Sequence, residues 1–358
     1  METRDGADAK SALARTSFQE GFARKTPKIA LGTYPTLLEP LTQLSRGGCS
    51  LWVKRDDQTS LLYGGNKVRK LEYLLAEARR RGATRLVTIG AVGSHHVLAT
   101  TLFGAREGFT VEAALVPQPR TDHAAQVVRA GLARGLHAMP ARGYLGVAMR
   151  VIPRALAKDA YFVTVGGSNL VGSLGYVAAA HELAKQVHNG DMPEPDLVVV
   201  ALGSGGTVAG LTAGFETAGL RTRVLGVTVA EPPWMIAWRA RRLARACMKR
   251  VRGTPPRGWL DARLAIDGRW LGRGYGHATE AGDAATRAAA PCGLTLDPTY
   301  TAKTFAAALD RVNAFAEAGG PPKTVLYWHT LSSAPLAPLL AGAPGEDAID
   351  PKVRRLLA

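Results

Sequence analysis

The sequence predicts an α/β protein built as two doubly wound domains with mostly parallel sheets. Three observations carry that reading. Short apolar strands and amphipathic helices alternate along nearly the whole chain, the pattern of parallel strands joined by right-handed helical crossovers. One strand, "DLVVVALG" from Asp196 to Gly203, is apolar through its middle and asks for burial on both faces. Gly-rich turns stand where strands run into helices, which is where open sheets of this kind hold ligands. The 358 residues are enough for two domains. The stretch between residues 250 and 280 is too irregular for a clean eightfold barrel.

Residues 1–25 are polar, small and aperiodic, and read as a flexible N-terminal arm. From Arg69, the residues Leu71, Leu74, Leu75 and Ala78 recur at helical spacing, and Gly82 ends the helix. "RLVTIG" is a strand, "VLATTLFGAREG" a helix closed by Gly108, and "VEAALVP" a strand. "TDHAAQVVRAGLARG" is a helix with Thr121 or Asp122 at its cap and Gly135 at its end. "YFVTVGG" is a strand and "NLVGSLGYVAAAHELAKQV" a long helix. After "DLVVVALG" come the helix "TVAGLTAGFETAG" and the strand "RVLGVTVA". Helices near 233–252, 280–290 and 300–318 follow, and "TVLYWHT" closes the pattern as a strand.

Composition narrows the function. The formal net charge of +16 raises the question of nucleic acid. The densest basic stretch, Trp238 to Gly253, spreads its arginines at helical spacing and carries neither a known module nor interleaved aromatics, so nucleic acid is not an expected partner. Cys49, Cys247 and Cys292 are odd in number and far apart, which fits neither a metal site nor a disulfide framework. No apolar run reaches membrane-spanning length and the N-terminus lacks a signal-peptide core. The expectation is a cytoplasmic protein without a metal.

Four short motifs carry chemistry. In "YGGNKVRKLEYLL" a lysine, Lys67, stands at the start of a helix. That is the wrong end of the dipole for a cation, and Arg69 and Lys70 add positive charge. Such crowding lowers a lysine's pKa, and a neutral lysine attacks carbonyls. Taken alone, the segment also reads as a solvated lysine after a Gly-Gly turn. In "ALGSGGTVAG", Gly203, Ser204, Gly205, Gly206 and Thr207 follow a buried strand and open a helix, so their amides and two hydroxyls can hold one phosphate. Neither a P-loop lysine nor the third glycine of a dinucleotide fingerprint is present. In "IGAVGSHHVLAT", Ser94, His95 and His96 sit at a helix start fit for a carboxylate, and adjacent histidines do not face one way as a metal pair would. "VGGSNLVGSLG" places Ser168 and Asn169 at a third junction. An activated lysine, a phosphate cup and a carboxylate cup are together what pyridoxal 5'-phosphate and a small amino-acid substrate need.

At this point the motifs resemble, in order, those of the D-cysteine desulfhydrase and 1-aminocyclopropane-1-carboxylate deaminase family. They are "WVKRDDQTS…GGNKVRKLE", "GSHHVLAT", "GGSNLVGSLGY", "GSGGTVAGL", "RGYGHATEAG" and "LDPTYTAKTF", spread over roughly residues 30–335. The resemblance implies a fold-type II, tryptophan synthase β-like pyridoxal-phosphate enzyme with the cofactor between two domains, and a homodimer. The larger domain would comprise 26–67 plus 179–358, and the smaller would be inserted as 68–178. It implies that Lys67 bonds the cofactor, that Asn66 and Asn169 lie near it, and that Gly203 to Thr207 hold its phosphate. Ser94 would receive the substrate carboxylate, with His95 and His96 beside the substrate. Tyr275 and Tyr300 match the family's active-site tyrosines.

Within that family, glutamate follows the "DP-x-Tyr" tyrosine in the deaminases and Ser or Thr in the desulfhydrases; here it is Thr301. The last strand motif carries Leu in the deaminases and Thr in the desulfhydrases; here it is Thr330. A hydroxyl at the pyridine nitrogen makes a weaker electron sink than a carboxylate does, which suits departure of a thiolate better than opening of a cyclopropane. The resemblance therefore implies a lyase of the D-cysteine desulfhydrase type. The alternatives are the cyclopropane deaminase and a specialised or inactive binder of cofactor and amino acid. Two departures stand out. His95 replaces the family's usual asparagine, and Ser332-Ser333 follows Leu331 where a Gly-Gly pair is usual.

Overall fold

The computed structural model describes residues 26–357, so the expected N-terminal arm lies outside the described residues. Strands are numbered along the chain. A six-stranded sheet holds β1 (Leu38–Pro40), β2 (Cys49–Lys54), β7 (Leu197–Leu202), β8 (Arg223–Thr228), β9 (Leu264–Asp267) and β10 (Lys323–Trp328), in the order β1-β2-β10-β7-β8-β9. Only β1 runs antiparallel, on β2. A four-stranded, wholly parallel sheet holds β3 (Arg85–Ala91), β4 (Thr110–Val116), β5 (Leu136–Pro140) and β6 (Ala160–Val163), in the order β5-β4-β3-β6. The α/β architecture with mostly parallel sheets is the one the alternation predicts. β7 is buried at Leu197, Val198, Val199, Val200 and Leu202, as its continuous apolar run requires.

Helices form at the expected places: α1 (Asn66–Arg80), α2 (His95–Arg106), α3 (Asp122–Ala133), α5 (Leu170–His188), α6 (Gly206–Ala218), α7 (Pro233–Val251), α9 (Glu280–Ala289) and α10 (Thr301–Ala318). Of the two caps open for α3, Thr121 serves, its hydroxyl accepting from the Ala124 amide at 3.1 Å. α1 begins three residues before Arg69, which puts Lys67 inside its first turn. β1, β2, β5, β9, α4 (Gly143–Ala155) and α8 (Trp259–Arg263) form where the sequence pattern does not mark them. β5 reads "LHAMP", with a histidine and a proline, and pairs only as an edge strand. α4 carries two glycines and Pro153, so tertiary context rather than propensity makes it helical.

The expected division at residue 178 falls inside the unbroken helix α5, whose Leu174, Val177 and Leu183 pack on the six-stranded side. The chain's last segment, which includes α11 (Pro351–Arg354), crosses back. Leu339, Ile349, Val353, Leu356 and Leu357 join the core beneath α2 and α3 with Val97, Leu98, Val127 and Val128. The Gln118 amide donates to the Leu356 carbonyl at 3.1 Å. No helix among the described residues is long and apolar enough to cross a membrane.

A buried ionic network joins the end of β2, α1, α5 and β10. Asp56 is fully buried and accepts from Arg69 Nη2 and Nε at 2.7 and 2.9 Å, from Tyr176 at 2.8 Å and from Trp328 Nε1 at 2.7 Å. Arg69 turns its remaining donor to Glu182 at 2.8 Å, and Glu182 also accepts from buried Lys54 at 2.7 Å. Removing one partner of such a set strands a buried charge, so Asp56→Ala is expected to lower the unfolding free energy by about 3–5 kcal/mol in denaturant titrations. A loss below about 1 kcal/mol would show that the network does not tie these elements.

Arg69 and Lys54 hold the Glu182 carboxyl down at about 2 against the burial that would raise it. A free glutamate titrates near 4.3. The stabilisation from Glu182 is therefore complete above about pH 4.5 and is lost as pH falls toward 2. Glu182→Gln should flatten the acid limb of a pH–stability curve, and an unchanged limb would contradict this.

Candidate active site

The two glycines before Lys67 are demanded by the backbone around them. A side chain at Gly64 would stand 1.9 Å from the Asp57 carbonyl oxygen. Gly65 has φ near +89°, and a side chain there would meet the Thr330 carbonyl at 2.7 Å. The turn presses directly against the chain leaving β10: the Asn66 amide donates to the Thr330 carbonyl at 3.0 Å, and the Gly64 amide to the Ser332 hydroxyl at 2.9 Å. Ser333 donates to the Asp57 carbonyl at 3.2 Å. The two serines are thus spent on clamping the turn that delivers Lys67.

Lys67 lines a cavity of about 510 Å³ between the two sheets. Its Nζ donates to Asn66 Oδ1 at 2.5 Å. Its pKa falls to about 8, and the cause differs from the sequence expectation. Burial is the main cause, and the Asp297 carboxylate opposes it. Arg69 faces away into its carboxylate network. Lys70, one turn on, is also buried and is held well below the ordinary lysine range by burial and by Lys67's charge. It donates to the Gly166 carbonyl and the Ser168 hydroxyl, both at 3.1 Å.

Gly203, Ser204, Gly205 and Thr207 form another wall of the same cavity, at the N-terminus of α6. Gly205 sits at φ near +95°, the turn that aims successive amides at one point. Asn66 Nδ2 donates to Thr207 Oγ1 at 3.2 Å, so the residue next to Lys67 touches the amide cup directly. Gly206 does not line the cavity; its amide donates to Ser168 Oγ at 3.1 Å, and Ser168 also meets Ser204 Oγ at 2.7 Å. Asn169 does not line it either. Its carboxamide oxygen caps α5 through the Gly172 amide at 2.9 Å, so the residue expected near the cofactor is turned into a helix end.

Ser94 caps α2, its hydroxyl accepting from the Val97 amide at 3.4 Å, and lines the cavity with His95 and His96. The two histidines diverge, as adjacent helical positions must. His96 Nε2 meets Thr88 Oγ1 at 3.0 Å, and Thr88 gives its own proton to the Val163 carbonyl. His96 therefore carries its proton on Nε2, and its buried Nδ1 is left without a partner. His95 turns instead toward Tyr63 and His123.

Across the cavity, Tyr300 donates to Tyr275 at 2.7 Å, and burial raises the pKa of both phenols. Thr301 and Thr330 complete this wall. The Thr301 hydroxyl donates to Asp297 Oδ1 at 2.6 Å and accepts from the Asp297 amide at 2.6 Å, so it is tied to Asp297 both as donor and as acceptor. Asp297 also accepts the amides of Thr299, Tyr300 and Thr301 at 2.9–3.0 Å, which fixes the entry to α10. The sequence motifs assign no role to Asp297 or Tyr63 and mark Lys70 only as added positive charge beside Lys67. Asp297 heads the "DPTY" motif and Lys70 lies one helical turn after Lys67, so spacing alone could have flagged them. No cluster of metal-ligating side chains occurs among the described residues.

A family model described as "pyridoxal-phosphate dependent enzyme" matches residues 29–330. A D-cysteine desulfhydrase of Klebsiella pneumoniae is 34% identical over 325 residues, covering 84% of this chain and 96% of the relative. A putative 1-aminocyclopropane-1-carboxylate deaminase of Pyrococcus furiosus is 33% identical over 318 residues, covering 87% of this chain and 93% of the relative. Among solved structures, an ACC deaminase homologue superposes with a TM-score of 0.73 at 26% identity, covering 90% of this chain and 98% of that one.

The residues fit that cofactor. A low-pKa lysine and an amide cup for a phosphate share one cavity and are joined through Asn66 and Thr207. A side chain at Gly205 would press on Ala240 of α7 at 3.3 Å and strain a left-handed position, so Gly205→Asp should displace the cup's amides, and pyridoxal phosphate affinity, read by fluorescence titration of the apo chain, should fall at least tenfold. Unchanged affinity in a folded variant would remove the cup from the site.

Proposed function

The chain belongs to the pyridoxal-phosphate-dependent enzyme family, and from that premise we propose that it is a lyase eliminating a β-substituent from a small amino acid, a D-cysteine desulfhydrase-like reaction giving pyruvate, ammonia and hydrogen sulfide. The observation that carries the reading is the joining of Lys67 to the amide cup in one cavity whose opposite wall is the Tyr275–Tyr300 pair. Bound pyridoxal phosphate supplies an electron sink for the bonds at the amino acid's α-carbon. Lys67 would hold the cofactor and would take the α-proton of the substrate; a pKa of about 8 leaves part of it neutral at pH 7. Ser94 and the first amides of α2 orient the substrate carboxylate. The tyrosines, with raised pKa, stay protonated and act as donors. Because Tyr300 gives its proton to Tyr275, the Tyr275 proton is the one directed at a departing thiolate.

The deaminase reading has similar support from relatives at 33–34% identity. Thr301 and Thr330, the residues that the resemblance assigns to desulfhydrases, favour elimination. The protein works as a cytoplasmic homodimer in this reading. An exposed apolar row on α4, with Leu145, Met149 and Ile152, supports pairing, and three free cysteines support a reducing compartment.

D-cysteine, β-chloro-D-alanine, their L-forms and the cyclopropane amino acid should be compared side by side. Elimination from a D-compound faster than ring opening is expected, and Lys67→Ala should abolish both turnover and the visible band of bound cofactor. Efficient ring opening without elimination would overturn the choice of reaction.

A further inference from the structure

His95 is the position where this chain departs from its family's asparagine, and it does not stand alone. Its Nδ1 is in a short hydrogen bond with the Tyr63 hydroxyl, with the two rings stacked at 6.2 Å between centroids. Its Nε2 meets His123 Nε2 at 3.1 Å. Tyr63 is 2% exposed and lines the cavity, His95 lines it and is half-buried, and His123 is exposed on the first turn of α3. The three side chains thus form a continuous hydrogen-bonded line from the cavity to solvent. We propose that Tyr63, His95 and His123 are a proton relay that carries protons between the substrate in the cavity and bulk water.

The line has two self-consistent polarities. In the outward one, Tyr63 O–H donates to His95 Nδ1, His95 Nε2–H donates to His123 Nε2, and His123 Nδ1–H faces water. In the inward one every bond is reversed and Tyr63 points its hydrogen into the cavity. Passing one proton converts one state into the other. An amino acid arrives as an ammonium and must lose one proton before its nitrogen can attack. That N–H bond breaks as a Tyr63 O–H forms; the old Tyr63 proton bonds His95 Nδ1; the His95 Nε2 proton bonds His123 Nε2; and the His123 Nδ1 proton leaves to water. No atom changes oxidation state, and reversal resets the line.

Such a line conducts only if its middle member does not hold the proton. Four groups face His95. Tyr63 is neutral, His123 and Lys67 oppose a charge on it, and Asp297 favours one. Burial dominates and brings His95 down to about 4, so it rests neutral at physiological pH. His123 is likewise lowered, by burial, with Asp297 opposing.

The relay rests on the lyase reading, but its geometry can be tested without turnover. In the apo chain, long-range proton–nitrogen NMR correlations should show His95 and His123 in opposite tautomers. The same tautomer in both rings would set two protons or two lone pairs against each other across the 3.1 Å contact and would overturn the relay. In the loaded enzyme, His123→Ala should lower turnover on the order of tenfold, raise the solvent deuterium isotope effect, and recover with added imidazole. Tyr63→Phe should lower turnover without imidazole rescue. An unchanged rate and isotope effect in His123→Ala, or indifference to imidazole, overturns the proposal. A wild-type enzyme that turns over no amino acid would instead sink the lyase reading, and the tautomers would still decide the relay's geometry.

Discussion

The placement of Lys67 rests first on the buried Asp56–Arg69 pair. Arg69 lies two residues after Lys67 in the same helical turn, and its guanidinium is gripped by Asp56 and Glu182. Asp56 simultaneously holds Tyr176 on α5 and Trp328 at the end of β10, while its carbonyl accepts the Gly65 amide at 2.8 Å. One residue, through its carboxylate and its backbone carbonyl, thus fixes both ends of the turn that carries Lys67. Buried ion sets of this type contribute little net stability against a well-packed apolar alternative. What this one contributes is register: α1 cannot rotate or slide without leaving a charge unpaired.

The same grip explains how three cations coexist within four residues. Arg69 is compensated by carboxylates and stays charged, while Lys67 and Lys70 are left with little compensation and drift toward neutrality. Burial dominates at both lysines, and mutual repulsion adds to it at Lys70. A charge count along the sequence treats the three as alike, whereas the fold sorts them.

Much of this molecule was legible in its sequence because its signals are local. Period and glycine punctuation mark most of the helices and the buried strands, and the strand-to-helix junctions mark the cavity walls. What escaped were elements and groups whose role is set by distant partners. β2 and β5 are strands because neighbours pair with them, and α4 is helical despite Pro153. Asn169 had the right junction but spends its side chain on its own helix. The Thr301 hydroxyl was read as a lone group, yet it is tied to Asp297 four residues earlier. Tyr63, His95 and His123 are separated by 32 and 28 residues, and no periodicity links them.

The return of the C-terminal segment to the four-stranded half bears on how the chain assembles. The core of that half draws together residues as distant as Leu31 and Leu357. Its strands leave the ribosome early, but the side chains that seal the faces of α2 and α3 come much later in the chain. Contacts of such sequence separation slow folding and leave apolar surface open in the interval. The half that is synthesised first and looks self-contained by its sheet is therefore completed only once the segment from Leu339 to Leu357 has been made, and its open apolar faces must be kept from aggregating until then.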